Sequence, residues 1–376
     1  MKRFENIDIL RGIVMIFMCI DHARDYTGMF PSDPMIIAET PIWLYCLRIL
    51  AHVCAPTFIF LSGISIGIIS SKKDKKSISK YLFSRGLFLC LLEITIVNWG
   101  WSFNPFYKIT YLQVIWAIGV SMLLMAILIH LKRWMILIFS LLIILGHNLV
   151  SGIQFGDCSL LHYGWSFMLQ KNLLPISSDW MVRTTYPILP VAAVMSLGYL
   201  ISNWFTKLES KIRKHNLYKL GSTMLVFFFI TRLILNYGDP HPIDWNNFGL
   251  SLINLTKYPM SLGYISFYLS LAILFLAISE NIKSRKNNIL KIFGSVPLFF
   301  YILHLYILHL IILSFLIINN IDIDFSKNLG GVPPNIGFPA WWLIWVIPFT
   351  IGILYFPCLY YKKLKEKHKY YWTKFI

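Results

Sequence analysis

Ten long apolar stretches decide what this chain can fold into. They lie near residues 7 to 27, 41 to 70, 79 to 99, 110 to 131, 133 to 150, 186 to 206, 217 to 236, 260 to 279, 290 to 318 and 340 to 361. Each is close to the roughly 20 residues that an α-helix needs to cross hydrocarbon, where the backbone must satisfy its own hydrogen bonds. The pattern predicts an all-α fold, a polytopic membrane helix bundle with about ten transmembrane helices. Composition agrees: 57% of the 376 residues are hydrophobic and only 14% are charged, against about 25% charged in soluble domains. The mean hydropathy is +0.64. No fixed-period repeat, low-complexity tract or linker interrupts the chain, so residues 1–376 read as one integral-membrane domain.

The formal net charge of +17 raises the question of a nucleic-acid partner. The basic residues sit in short loops between apolar stretches, where insertion topology and anionic lipid account for them, and no soluble basic domain exists to hold nucleic acid. Lys72, Lys73, Lys75, Lys76 and Lys80 follow the second stretch, Lys132 and Arg133 the fourth, and Lys207, Lys211, Arg213 and Lys214 the sixth. Lys283, Arg285 and Lys286 follow the eighth, and Lys362, Lys363, Lys365 and Lys367 the tenth. The positive-inside rule then places both termini in the cytoplasm, with the protein integral to the cytoplasmic (inner) membrane. The opposite face receives longer, less basic connections carrying Asp33, Glu39, Asp157 and Asp179. The N-terminus has the Lys2-Arg3 flank of a signal peptide, but Glu5, Asp8 and Arg11 break up the apolar run behind that flank and no small-residue cleavage site comes after Ile20, so the segment reads as retained.

The first stretch, NIDILRGIVMIFMCIDHARDY, takes ionisable groups into lipid, and such groups are rare there and mark functional sites by default. Eleven residues of helix put Arg11 and His22 about 20° apart around the axis and about 16 Å apart along it. One stripe carries both, with Arg11 towards the cytoplasm and His22 towards the outside. Asp21, Arg24 and Asp25 crowd the same helix end; Asp21 is adjacent to His22 but points about 100° away, so an orienting carboxylate is equally Asp25 or a group on another helix. Arg48 and His52 share a face of the second helix. His304 and His309 of the ninth are about 140° apart and cannot easily face one partner, so one lines a site while the other pins helices together. An interhelical hydrogen bond is the alternative for every one of these histidines. Arg85 and Glu93 on the third helix read as structural ion-pair partners of different neighbours. Lys257, where an outer loop meets helix eight, is a candidate for holding a cofactor, with a snorkelling lysine as the alternative.

Five of the six cysteines (Cys19, Cys46, Cys54, Cys90 and Cys358) fall inside apolar stretches as small hydrophobes, with no CxxC pair and no metal-ligand spacing. There is no HExxH, Walker loop or GxGxxG.

Seven segments in order, NIDILRGIVMIFMCIDHARDY, RILAHVCAPTFIFLSG, SRGLFLCLLEITIVNW, VIWAIGVSMLL, YPILPVAAVMSLGY, LTKYPMSLG and FGSVPLFFYILHLYILH, together resemble bacterial members of the heparan-α-glucosaminide N-acetyltransferase-like family. Arg11 and His22 are also similar to the Arg-X10-His signature of the related acyltransferase-3 membrane enzymes. The resemblance implies acyl transfer from cytoplasmic acetyl-CoA, or another acyl-CoA, to an extracytoplasmic acceptor such as an amino sugar or glycan. It gives His22 the catalytic role, with Asp21 and His52 as further catalytic candidates, and places Arg11 on the CoA side, with Arg48 and Lys257 as further CoA-binding candidates. Asp25, His304 and His309 stay open as other candidates, no metal is expected, and homo-oligomerisation is left open. The alternative is a proton-coupled transporter or flippase using the same buried groups as a relay.

Overall fold

A computed structural model describes residues 4–28, 34–37, 39–156, 159–282, 288–321 and 336–368. Lys2, Arg3, Asp33, Asp157, Lys283, Arg285 and Lys286 lie outside the described residues. In chain order the helices are α1 (Glu5–Thr27), α2 (Ile42–His52), α3 (Cys54–Ser70), α4 (Lys75–Leu92), α5 (Asn98–Ser102), α6 (Val114–Leu128), α7 (Arg133–Gly146) and α8 (Leu160–Leu169). There follow α9 (Ile188–Lys207), α10 (Ser210–Phe229), α11 (Phe248–Ile253), α12 (Leu262–Ile278), α13 (Ile289–Ser295), α14 (Pro297–Ile318) and α15 (Leu343–Lys367). Each of the ten apolar stretches contains a helix, and the protein is an all-α polytopic bundle. Among the described residues, eight helical segments are long and apolar enough to cross a membrane. The helix α6, with 15 residues, is shorter, and α1 falls outside that set because Glu5, Asp8, Arg11, Asp21, Arg24 and Asp25 run through it.

Contacts divide the chain into two compact units. The first comprises Met1–Cys54, Thr95–Ile109 and Ile282–Ile376. At its centre is α1, which packs against α2, α13, α14 and α15. Glu5 and Asp8 in its first turn and Arg24 in its last suit the helix dipole, whereas Asp25 in that last turn opposes it. The approach of α13 requires glycine on both sides: a Cβ at Gly12 would run into the Leu290 backbone, and one at Gly294 into the carbonyl of Asp8. Without a hydrophobic driving force between helices in lipid, such small-residue contacts supply close packing instead. The end of α1 is tied by the Phe338 N–H, which donates to the Thr27 carbonyl at 2.6 Å.

The second unit comprises Ala55–Ile94 and Thr110–Asn281. Here α4 packs on α6, α6 and α7 on α9, and α10 on α12. Gly63 of α3 and Gly198 of α9 face the partner backbone in the same reciprocal way. Glu93, at the head of a π-helical turn over Glu93–Val97, is fully buried. It does not sit in the expected ion pair: its Oε2 accepts the Trp116 N–H at 3.0 Å. The physical reason is that the first turn of a helix presents N–H groups without intrahelical partners, and a carboxylate satisfies them. Arg85 donates to the Tyr81 hydroxyl at 3.2 Å. The 151–185 loop adds α8 and a small sheet, in which β1 (Ile109–Leu112), β2 (Leu173–Pro175) and β3 (Met181–Thr184) lie in the order β1-β3-β2. The strands β2 and β3 are antiparallel, with Leu174 opposite Val182. The 237–261 connection is held by Asp239, which accepts from the Thr256 N–H at 2.8 Å and the Thr256 hydroxyl at 3.0 Å.

Candidate active site

The first unit brings His22 of α1 against His304 of α14, with Nδ1 of His22 2.7 Å from Nε2 of His304. The rings are 5.0 Å apart and close to parallel, at 13°. Partners assign the protons. Nδ1 of His304 lies 3.2 Å from the Phe300 carbonyl, and a carbonyl only accepts, so that nitrogen carries hydrogen. The neutral ring then offers its Nε2 lone pair, and Nδ1 of His22 donates to it. Nε2 of His22 is left as the basic nitrogen. His304 is fully buried, while His22 is part-exposed, so the pair has one inner and one reachable member.

The short helix α5 closes on this pair. Trp101 meets His22 edge-to-face at 4.9 Å, stacks on Tyr26 at 5.3 Å and donates its indole N–H to the Tyr301 hydroxyl at 3.4 Å. What holds α5 is His309. Its Nδ1 donates to the Gly100 carbonyl at 3.3 Å, which also accepts the Tyr26 hydroxyl at 3.0 Å, and its ring stacks on Phe103 at 4.2 Å. Phe103, the C-terminal cap of α5, has φ +44, a left-handed conformation costly for a bulky side chain unless its surroundings over-determine it. Tyr306 adds a further tie, its hydroxyl donating to the Ile96 carbonyl at 2.8 Å. His304 thus meets His22, whereas His309 joins α14 to α5.

Asp21 takes part in an ion cluster on the same end of α1. Its two oxygens take Arg24, at 3.1 Å, and Arg48, and Arg24 also pairs with Asp25. Asp21 is 3% exposed and Arg24 5%, so a buried carboxylate–guanidinium pair, joined by part-buried Arg48 and by exposed Asp25, ties α2 to α1. Arg48 is therefore placed at the His22 end of α1 and is not brought to Arg11. Farther along, the Cys54 thiol donates to the Val14 carbonyl at 3.1 Å, so α2 runs antiparallel to α1, and His52 is buried at its end. Arg11 lies 3.6 Å from Asp8. Beside that end Lys291 of α13 pairs with Glu5 at 2.6 Å. Lys257 belongs to the second unit, where its ammonium sits over the Tyr258 ring at 5.2 Å, and Lys171 approaches the same ring at 5.3 Å. Trp101, Tyr301 and Phe103 escaped the sequence reading, although the tryptophan-rich NWGW run just after the Glu93 turn is visible in it.

The fold and this site define an integral-membrane helix bundle whose first helix bears an ion cluster and a part-exposed histidine paired with a buried one. The chain belongs to the heparan-alpha-glucosaminide N-acetyltransferase family, whose catalytic-domain profile matches residues 3–237, more than half of its length. The matched stretch includes Arg11, His22, Arg48 and Trp101, whereas His304 and His309 lie beyond it. Comparison with curated proteins finds no match.

Proposed function

We propose that this protein is a transmembrane acyltransferase that moves an acetyl or related acyl group from cytoplasmic acyl-CoA to an amine or hydroxyl on the other face of the cytoplasmic membrane, an amino sugar or glycan being the acceptor class. Family membership supports acetyl transfer, and the observation that carries the mechanism is the His22–His304 pair. With Nδ1 donating to His304, Nε2 of His22 removes the proton of the acceptor as its nitrogen or oxygen attacks the thioester carbonyl. The C–S bond breaks, CoA leaves as its thiolate, and the imidazolium returns the proton to sulfur. General-base help of this kind is worth about 10²- to 10⁴-fold.

Arg11, about 16 Å from His22 along a continuous helix, is the proposed phosphate contact, since a guanidinium donates to phosphate in a bidentate fork. A phosphate there competes with Asp8, at 3.6 Å. A pantetheine arm spans the interval to His22. Both units serve one domain over residues 1–376 with both termini cytoplasmic. The second reading, a transporter or flippase, draws on the interruptions at Val53 between α2 and α3 and at Val296 between α13 and α14, because broken helices line sites reached from two faces. Acyl transfer across a bilayer needs the same two-sided access.

Acetyl-CoA consumption by the purified protein separates the two. The expected result is CoA release that depends on acceptor and falls by about 10²-fold or more in His22→Ala, with CoA affinity kept. Full turnover in His22→Ala would overturn the catalytic assignment, and no binding of any acyl-CoA by calorimetry would overturn the enzyme reading. A direct-transfer base predicts that both substrates must be bound together, and an acyl-histidine intermediate predicts ping-pong kinetics.

A further inference from the structure

The second unit contains a cavity of about 440 Å³ between α7, α9, α10 and α12. Leu137 and Leu141 of α7, Leu200 and Trp204 of α9, Met224 of α10 and Leu269 of α12 are among its walls. The hydroxyl of Ser266, also in the wall, is turned onto its own helix, donating to the Leu262 carbonyl at 2.7 Å. A space without polar partners does not hold water, and unfilled volume in a packed interior is destabilising. A hydrocarbon occupant removes both problems.

The cavity is also open to a source of hydrocarbon. The helices α7 and α10 pack on α9 and α12 respectively and make no extended contact with each other, so the seam between them opens sideways. Both are lightly buried spans, at 22% and 28%, whereas α9 and α12, which form the floor, are 67% and 72% buried. Leu137, Leu141 and Leu145 line the cavity and are still 41 to 42% exposed, so the lining continues into the bilayer-facing stripe of Trp134, Ile138 and Leu142. The recess is an extension of the lipid interface. At one common end the same helices are basic: Lys132 precedes α7, Lys207 follows Trp204 by three residues on α9, and Lys211 and Lys214 stand in the first turns of α10. Basic clusters at the ends of spanning helices recognise phosphate headgroups.

We propose that the recess between α7 and α10 binds one acyl chain of an anionic bilayer phospholipid, whose phosphate rests on Lys132, Lys207, Lys211 and Lys214. This binding is independent of the acyl-transfer chemistry. Native mass spectrometry of the purified protein, incubated with equal amounts of phosphatidylglycerol and phosphatidylcholine, tests it. One phosphatidylglycerol should be retained per chain, at least tenfold over phosphatidylcholine. Met224→Trp, which fills the recess, should reduce retention at least tenfold with an unchanged thermal midpoint, and Leu141→Trp at the mouth repeats the test if the first variant fails to fold. Lys207→Ala combined with Lys211→Ala should keep a lipid but lose the headgroup preference. Undiminished retention in a folded tryptophan variant overturns the recess as the site. Equal retention of the two phospholipids by the unaltered protein overturns the anionic assignment. Displacement of phosphatidylglycerol by a smaller amount of a polyprenyl phosphate overturns the bilayer as the source and makes the occupant a carrier lipid.

Discussion

An imidazole that donates its Nδ1 proton to a second imidazole keeps its basicity at Nε2 only while that partner accepts. His304→Leu removes that acceptor and the orientation it gives the His22 ring, so turnover should fall by about 10²-fold, the lower end of what general-base help contributes. His304→Gln, whose amide oxygen also accepts, should recover most of it; acetyl-CoA consumption together with calorimetric CoA affinity reads the difference, and equal loss in both variants would mean that His304 only fills space. Asp21 behaves otherwise. Asp21→Asn strips the charge from between Arg24 and Arg48 and should lower stability by about 3 kcal/mol, as removal of one partner from a buried ion cluster does. Thermal unfolding in detergent measures this, and turnover per folded molecule should hold; loss of turnover in a protein that melts normally would return Asp21 to the chemistry. That Arg11 and His22 belong to one continuous helix was legible, because an apolar run joins them. The partner of His22 was not, since it lies 282 residues away and period says which face a residue occupies without saying what meets that face.

Helices that begin outside the hydrocarbon carry their own starting signals, and α4 shows how much of an element such a signal controls. Asp74 caps α4, accepting the Ser77 N–H at 2.8 Å, and the hydrogen bonds from Ser77 hold its carboxyl below the ordinary carboxylate range. A lowered folded-state pKa stabilises the fold above the unfolded value of about 3.9, and that contribution disappears as pH falls through the lower folded value. The thermal midpoints of the unaltered protein and Asp74→Ala should therefore differ by a constant amount near neutral pH and converge below about pH 4. A gap that persists to pH 2 would assign the cap to geometry instead of charge. This cap is readable in the sequence as an Asp three residues before a Ser at the edge of an apolar run. The cap on α6 is not, because Glu93 comes from another helix, 23 residues before the Trp116 it serves. The break at Val53 was hidden as well: it falls inside the single apolar stretch 41 to 70, and hydropathy registers length without registering a turn inside it.

At the scale of the whole molecule, spans and charge alternation came directly from the sequence, because lipid forbids unsatisfied backbone and the loop charges are uncoupled from packing. The two compact units did not, since the segments that form each are discontinuous in the chain and their association depends on contacts such as Gly12 against Leu290 and Gly63 against Met195. Direction across the membrane is a property of the whole chain, and the proposed transfer depends on it: Arg11 must face the CoA pool. Ser71, in the basic loop before Asp74, and Ser178, in the turn between β2 and β3, are both exposed and lie on opposite sides if every even-numbered stretch returns to the cytoplasm. Ser32, the other natural outer position, lies outside the described residues. In a cysteine-free background, Ser178→Cys in intact cells should react with a membrane-impermeant maleimide within minutes, and Ser71→Cys only after the membrane is opened. The reverse pattern would put Arg11 on the outer face and remove acyl-CoA as the donor it could reach. Labelling of both positions from one side would mean that a stretch between residues 79 and 150 does not span, with α6, at 15 residues, the helix whose length makes that outcome physically accessible.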